Sequence, residues 1–279
     1  MPRRVVFIAS LGHSGSTLLD LVLGGHSAIV GLGEVGRSID LPSGEPATDL
    51  PLCSCGKSAR DCGFWGTVLP RLAHEPKANE LRRYEVVLDT FAGTFGPDSI
   101  LVDSSKYLRW LRVLATLESV DIRVLFLVRD VRSFTVSEID NVARKRAAGQ
   151  PYRGIGPFTA FRRWHAENRK TEAFLTASGL PVFRLGYEEL CLAPERIVPR
   201  ICQFLDLPHE PSMLSLERSR SHILRGNRMR HDAARRAVGY DPRWFVRREW
   251  MLPALVCRRI MRSNREQVYS NGIVEEWSR

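Results

Sequence analysis

The sequence predicts an α/β fold: a three-layer arrangement with a central parallel β-sheet flanked by helices and interrupted by irregular insertions. Three observations point there. Four short runs, Val5–Ser10, Ile100–Val102, Val124–Val128 and Val182–Leu185, have the length and unbroken apolar, β-branched character of strands buried on both faces. Stretches of helical period separate them, which is the pattern of βαβ units. Each polar, glycine-rich or basic motif starts where one of these strands ends, the end at which such sheets bind ligands.

In order along the chain, the first strand runs into Leu11-Gly12-His13-Ser14-Gly15 and then a helix over Ser16–Leu23. From Gly31 to Pro70 the sequence is rich in Gly, Pro, Ser and Cys without a sustained period, so it reads as an irregular insertion. Helical spacing returns at Ala78–Phe91, Tyr107–Leu117, Ser133–Arg146 and Phe158–Ala177. A Gly- and Pro-containing break at Ala147–Pro157 reads as a loop beside the site. No repeat, low-complexity tract or linker divides the chain, so residues 1–279 are expected to form one domain, ending in a basic segment from 211 to 279.

Composition bounds the rest. At 44% hydrophobic residues the chain can bury a sizeable core, which excludes wholesale disorder. No apolar run approaches the roughly 18 residues of a membrane span. The Val5–Leu11 stretch is too short for a secretory signal and has no cleavage site, so a cytoplasmic protein is expected. Six cysteines are too few for a disulfide scaffold at this length and fit a reducing compartment. The net charge is +10, and residues 211–279 hold 15 Arg against seven acidic residues, about +8. A surplus so localised suggests an anionic partner or an arginine-rich solvated face.

The turn after the first strand carries the chemistry. Glycines let the backbone approach a phosphate, and the N–H groups at a helix start converge on it. Ser14, Ser16 and Thr17 add hydroxyl donors. A nucleotide-hydrolysing loop would place a lysine after its last glycine, and none follows Gly15. A second piece, Arg129-Asp130-Val131-Arg132-Ser133-Phe134-Thr135-Val136-Ser137, follows the strand ending at Val128. Its arginine and the serine eight residues on, two helical turns away, can close on a further phosphate.

Together the two pieces resemble the sulfotransferases, of bacterial type and P-loop-like fold, that use 3′-phosphoadenosine 5′-phosphosulfate (PAPS). The resemblance rests on GHSGSTLL at 12–19 and RDVRSFTVS at 129–137. It implies that Gly12, His13, Ser14, Gly15, Ser16, Thr17 and Leu18 hold the 5′-phosphosulfate and that Arg129 and Ser137 hold the 3′-phosphate. Gly186-Tyr187-Glu188-Glu189-Leu190 is similar to the family's Y-E-x-L stretch, which implies that Tyr187 lies near the adenine. His222 to Arg230 is similar to a late basic G-N-x-x-R element, which implies further phosphate contact from Arg225, Gly226, Asn227 and Arg230. The implied activity is transfer of a sulfuryl group from PAPS, leaving 3′,5′-ADP, to a hydroxyl (or, as second choice, an amine) of a small-molecule, glycan or lipid acceptor, as in enzymes of the EC 2.8.2 type. No metal is expected in the transfer step.

His13 stands where most members carry a Lys or Arg, so the resemblance does not say which residue assists the leaving group. Lys106, in the D-S-S-K run 103–106, is the substitute, with His13 assisting. Glu34, in Gly33-Glu34, resembles the family's catalytic carboxylate and is the expected base; His13, His26, His165 and His222 are the alternatives. Bound donor anion would raise the Glu34 pKa.

Cys53, Cys55 and Cys62 form a separate cluster, open between zinc binding (with His74 as the nearest downstream histidine), a local disulfide and simple packing. Trp244, Phe245, Trp250 and Met251 lie among arginines and could face a membrane, an acceptor or the core. Two rivals to the sulfotransferase reading are a P-loop kinase and a basic nucleic-acid-binding protein. The first lacks its lysine; the second predicts no paired phosphate motifs.

Overall fold

The computed structural model describes residues 3–40, 51–150, 154–231 and 237–273. Its centre is a five-stranded, all-parallel sheet in the order β2-β3-β1-β4-β5. In chain order the leading elements are β1 (Arg3–Ser10), α1 (Ser16–Leu23), β2 (Ile29–Gly31), α2 (Val35–Ile39), α3 (Trp65–His74) and α4 (Glu80–Phe95). Next come β3 (Ile100–Lys106), α5 (Leu108–Leu114), β4 (Val120–Val128), α6 (Val131–Ala147), α7 (Pro157–Ser178) and β5 (Val182–Gly186). The chain closes with α8 (Tyr187–Leu192), α9 (Pro194–Phe204), several short 3-10 turns, α10 (Met251–Val256) and α11 (Arg258–Val268).

Two apolar cores, one on each face, make the three layers. Side chains alternate across a strand, so Val5, Phe7 and Ala9 of β1 enter one core and Val6 and Ile8 the other. The first core is covered by α3 to α7 and includes Trp65 and Trp164; the second is covered by α1, α8 and α9. The sheet is central because its strands are apolar on both faces, which is what the unbroken runs predicted.

The structure differs from the sequence reading in the insertion. Gly31 ends a strand, and α2 and most of α3 lie inside the span read as irregular; residues 41–50 of that span are outside the described ones. β2 is three residues long, too short to leave a pattern. Strand β3 also runs four residues past Val102, through Asp103, Ser104 and Ser105 to Lys106. Its pairing with β1 slips there: Phe7 opposes Asp103, and Ala9 opposes Lys106, so β3 carries one extra residue. Such a bulge re-aims side chains. Lys106 adopts φ 71°, a left-handed conformation uncommon for a lysine, which turns it off the strand direction.

Candidate active site

Five strand ends meet at one edge of the sheet, and the motifs come with them. The β1–α1 turn is the first. Gly15 caps α1 with φ 92°, a value natural to glycine. A Cβ on it would sit 2.4 Å from the Tyr187 ring, so that ring lies directly on the turn. A Cβ on Gly12, in contrast, would meet nothing within 4 Å, which leaves its face of the turn open. Ser14, Ser16 and Thr17 are all buried, and Leu18 packs into the core below. Thr17 Oγ1 accepts a hydrogen bond from the Asn227 N–H at 3.1 Å, tying the late basic element to the turn.

Arg129, at the end of β4, is 7% exposed and fully engaged. It donates to the His13 carbonyl (2.9 Å), to Ser133 Oγ (2.8 Å) and to Asp241 (3.0 Å), with its guanidinium 4.5 Å over the Tyr187 ring. Ser133 and Ser137 are both buried on α6, one turn apart. Arg129 thus bridges the β1–α1 turn to the start of α6. Arg230 donates to the carbonyls of Gly226 and Asn227, while its buried Nε has no partner among the described residues. Burial lowers its pKa, so an anion would relieve a charge that the protein leaves poorly compensated.

Glu34 and Lys106 meet. Glu34, 4% exposed, pairs with Lys106 and, at 2.8 Å, with Arg37. Burial raises its carboxyl, but Lys106 and Arg37 outweigh burial and hold it below the usual carboxylate range. Within the protein Glu34 is therefore an ionised carboxylate, ready to accept a proton, and the pKa rise expected from a bound anion would start from this depressed value. Its N–H donates to the Arg225 carbonyl at 3.0 Å, so the late basic element also backs Glu34.

His13 lies among cations. Burial, then Lys106, Arg144 and Arg129, lower its pKa to about 4. That shift favours the neutral imidazole at physiological pH. Its Nε2 lies 3.4 Å from Glu138, and its φ of 67° points its carbonyl at Arg129. His26 is locked between the Pro208 carbonyl and the Ala28 N–H. His222 lies against Cys62, and His165 is on α7.

Two buried carboxyls hold the Glu34–Lys106 pair in place: Asp103, which begins the D-S-S-K run, and Asp20, which the sequence reading did not single out. Asp20 of α1 accepts the Gly33 N–H at 3.1 Å, and Asp103 accepts from Tyr84 (2.7 Å) and Ser105 (2.5 Å). Gly31 must be glycine, since a Cβ there would sit 2.0 Å from Asp20 Oδ1. The one available signal was a lone acid in the otherwise apolar turn Leu18–Leu23. Burial raises Asp20 to about 8 and Asp103 to about 6. A raised acid favours the folded state while protonated, so its contribution is lost as pH climbs through the folded pKa. Stability should therefore fall from about pH 4 to about pH 8, by at most about 1.4 kcal/mol per pH unit for one group. Urea melts across that range check this: Asp20→Asn, which keeps the acceptor, should flatten the slope.

The aromatic segment near the C-terminus splits. Trp244 is buried and Trp250 packs on the core, while Phe245 and Met251 are exposed. Arg132 lies over both tryptophans, and Arg243 and Arg247 pair with Asp241, Asp140 and Glu249. Much of the basic surplus near 243–247 is thus spent inside the fold.

A family model described as "Sulfotransferase family" matches residues 5–211, about three-quarters of the chain. The chain belongs to the sulfotransferase family. Among solved structures, this sulfotransferase is similar to the sulfotransferase domain from the curacin biosynthetic pathway. The two share 20% identity over 94% of this chain and 97% of that one, with a TM-score of 0.57. It also matches the sulfotransferase domain from the Synechococcus PCC 7002 olefin synthase, at 20% identity over 91% of this chain and 86% of the other, with a TM-score of 0.45. No curated protein matches this sulfotransferase. No helix among the described residues is long and apolar enough to cross a membrane.

Proposed function

We propose that the protein transfers a sulfuryl group from PAPS to a hydroxyl of a small-molecule, glycan or lipid acceptor, as a single catalytic unit, with Glu34 as general base. One observation carries the reading: the open face at Gly12, the engaged Arg129 and the Glu34–Lys106 pair lie together at the carboxyl edge of the sheet. The residues fit the donor, because the turn offers backbone N–H groups and three buried hydroxyls, and Arg230 brings a guanidinium nitrogen without a partner.

PAPS would supply an activated sulfuryl group whose bond to the bisphosphate breaks as the acceptor oxygen attaches. The turn 12–17 would bind the 5′ anion, and Arg129 and Ser137 the 3′-phosphate, against the Tyr187 ring. Glu34 would take the acceptor proton. Lys106 would lend positive charge where the leaving group gathers electrons, in a site half closed to water where such charge counts most. His13, neutral, would orient the turn and Arg129 through its carbonyl rather than through charge.

The test is mass spectrometry of sulfated products after PAPS is incubated with a host metabolite extract in EDTA without added metal. Sulfated products absent from a no-enzyme control support the reading. No product with or without added zinc, or product that appears only when Mg²⁺ is restored, contradicts it.

A further inference from the structure

Besides the Glu34–Lys106 pair, the fold gathers four metal-binding side chains that the proposed transfer does not use. The Nδ1 or Nε2 atom of His222 and the Sγ atoms of Cys53, Cys55 and Cys62 all lie within 4.8 Å of one another. Cys62 Sγ is 3.6 Å from Cys53 Sγ and 3.2 Å from His222 Nδ1. Zinc–sulfur bonds of about 2.3 Å and zinc–nitrogen bonds of about 2.0 Å, at tetrahedral angles, put ligand atoms roughly 3.5–3.8 Å apart. The observed spacing is close to that. A disulfide needs an S–S distance of about 2.05 Å, and it would use only two of the four groups.

The backbone is shaped for the cluster. Residues 53–57 form a tight turn, with Cys53 N–H on the Lys57 carbonyl (2.9 Å), Gly56 N–H on the Cys53 carbonyl (3.0 Å) and Gly56 at φ 83°. That turn presents Cys53 and Cys55 on one side. Cys62 follows on a further turn, its N–H on the Ser58 carbonyl at 2.9 Å. His222 arrives from 160 residues away and is held by the Trp65 indole, which donates to its carbonyl at 2.5 Å. His74, the neighbour the sequence suggested, instead bonds the Pro70 carbonyl of its own helix. Cys53 and Cys62 are buried while Cys55 is exposed, which leaves one side for a metal to enter.

We propose that Cys53, Cys55, Cys62 and His222 bind one structural zinc ion, a closed four-ligand site of three thiolates and one imidazole. Its role is to clamp the insertion onto the segment 221–230. Ser54 already bonds that segment three times, to the carbonyls of Ser221 and Ile223 and from the Ile223 N–H. The same segment supplies the Arg225 carbonyl behind Glu34 and the Asn227 N–H on Thr17. The zinc would thus anchor, at a distance, the backing of both the base and the phosphate turn, without entering the transfer step.

Metal content tests this without donor or acceptor, so its outcome is independent of the PAPS reading. Protein purified under reducing conditions without metal-affinity resin should carry about one zinc per chain by elemental mass spectrometry. Cys55→Ser and His222→Ala should each bring zinc close to none. Because Cys55 is exposed, its replacement leaves the core packing untouched. As a second readout on the unchanged chain, cobalt exchanged for the metal should give a thiolate-to-cobalt charge-transfer band and the visible bands of tetrahedral cobalt. Zinc-free protein from zinc-supplemented cells with no cobalt spectrum would overturn the proposal. So would a Cys53–Cys62 disulfide found by alkylation and peptide mapping of the purified chain.

Discussion

Glu34→Gln should lower sulfuryl transfer by roughly 10²–10⁴-fold, the usual contribution of a positioned general base, while 3′,5′-ADP affinity stays nearly intact. The substitution is almost isosteric, and the amide can still accept from Arg37 or Lys106, so the site keeps its shape and loses its proton acceptor. The depressed pKa of Glu34 also fixes the pH profile. An acid held low is already ionised at neutral pH, so activity should not rise through a carboxylate titration between pH 6 and pH 8. Lys106→Ala should lower turnover as well, with some loss of donor affinity, because on the proposed reading Lys106 lies between Glu34 and the donor. Turnover and ligand titration on both variants check the pair. If Glu34→Gln keeps full turnover while His13→Ala abolishes it at unchanged 3′,5′-ADP affinity, the base is the histidine.

Arg129→Ala is the second large effect. A charged hydrogen bond to phosphate is worth about 1.5–3 kcal/mol, so 3′,5′-ADP should bind roughly ten- to a hundredfold more weakly. The structure adds a complication invisible in sequence. Arg129 also holds the His13 carbonyl, so its loss loosens the 5′ turn and 5′-AMP binding should fall too, by a smaller factor. Ser137→Ala isolates the 3′-phosphate. It removes one neutral donor, worth about 0.5–1.5 kcal/mol, and should weaken 3′,5′-ADP several-fold with no change for 5′-AMP. Equal losses for both ligands in Ser137→Ala would remove the 3′-phosphate assignment.

The parts that the sequence made legible are those governed by local pattern. Strand runs apolar on both faces, glycines at a turn and an arginine at a strand end all leave a signature within ten residues, and each sits at the sheet's carboxyl edge. What stayed hidden depends on distant pairing. β2 is too short for a period, and α3 carries Pro70 within it, which disguises its helical spacing. The β3 extension is polar because its side chains serve the site: Asp103 takes Tyr84, Ser105 caps the Gly36 N–H, and Lys106 reaches Glu34. His222 could not be matched to Cys62 because the fold, not proximity along the chain, brings them together. The lowered pKa of His13 likewise follows from burial and four nearby cations, none of them its sequence neighbour.

The most direct test of the donor assignment is calorimetric titration of the protein with 3′,5′-ADP, 5′-AMP and ATP with Mg²⁺. The arrangement of Arg129 and Ser137 predicts that 3′,5′-ADP binds at least tenfold more tightly than 5′-AMP, without metal, and more tightly than ATP. ATP with Mg²⁺ binding more tightly than 3′,5′-ADP would contradict it and turn the same turn and arginine into the parts of a phosphotransferase.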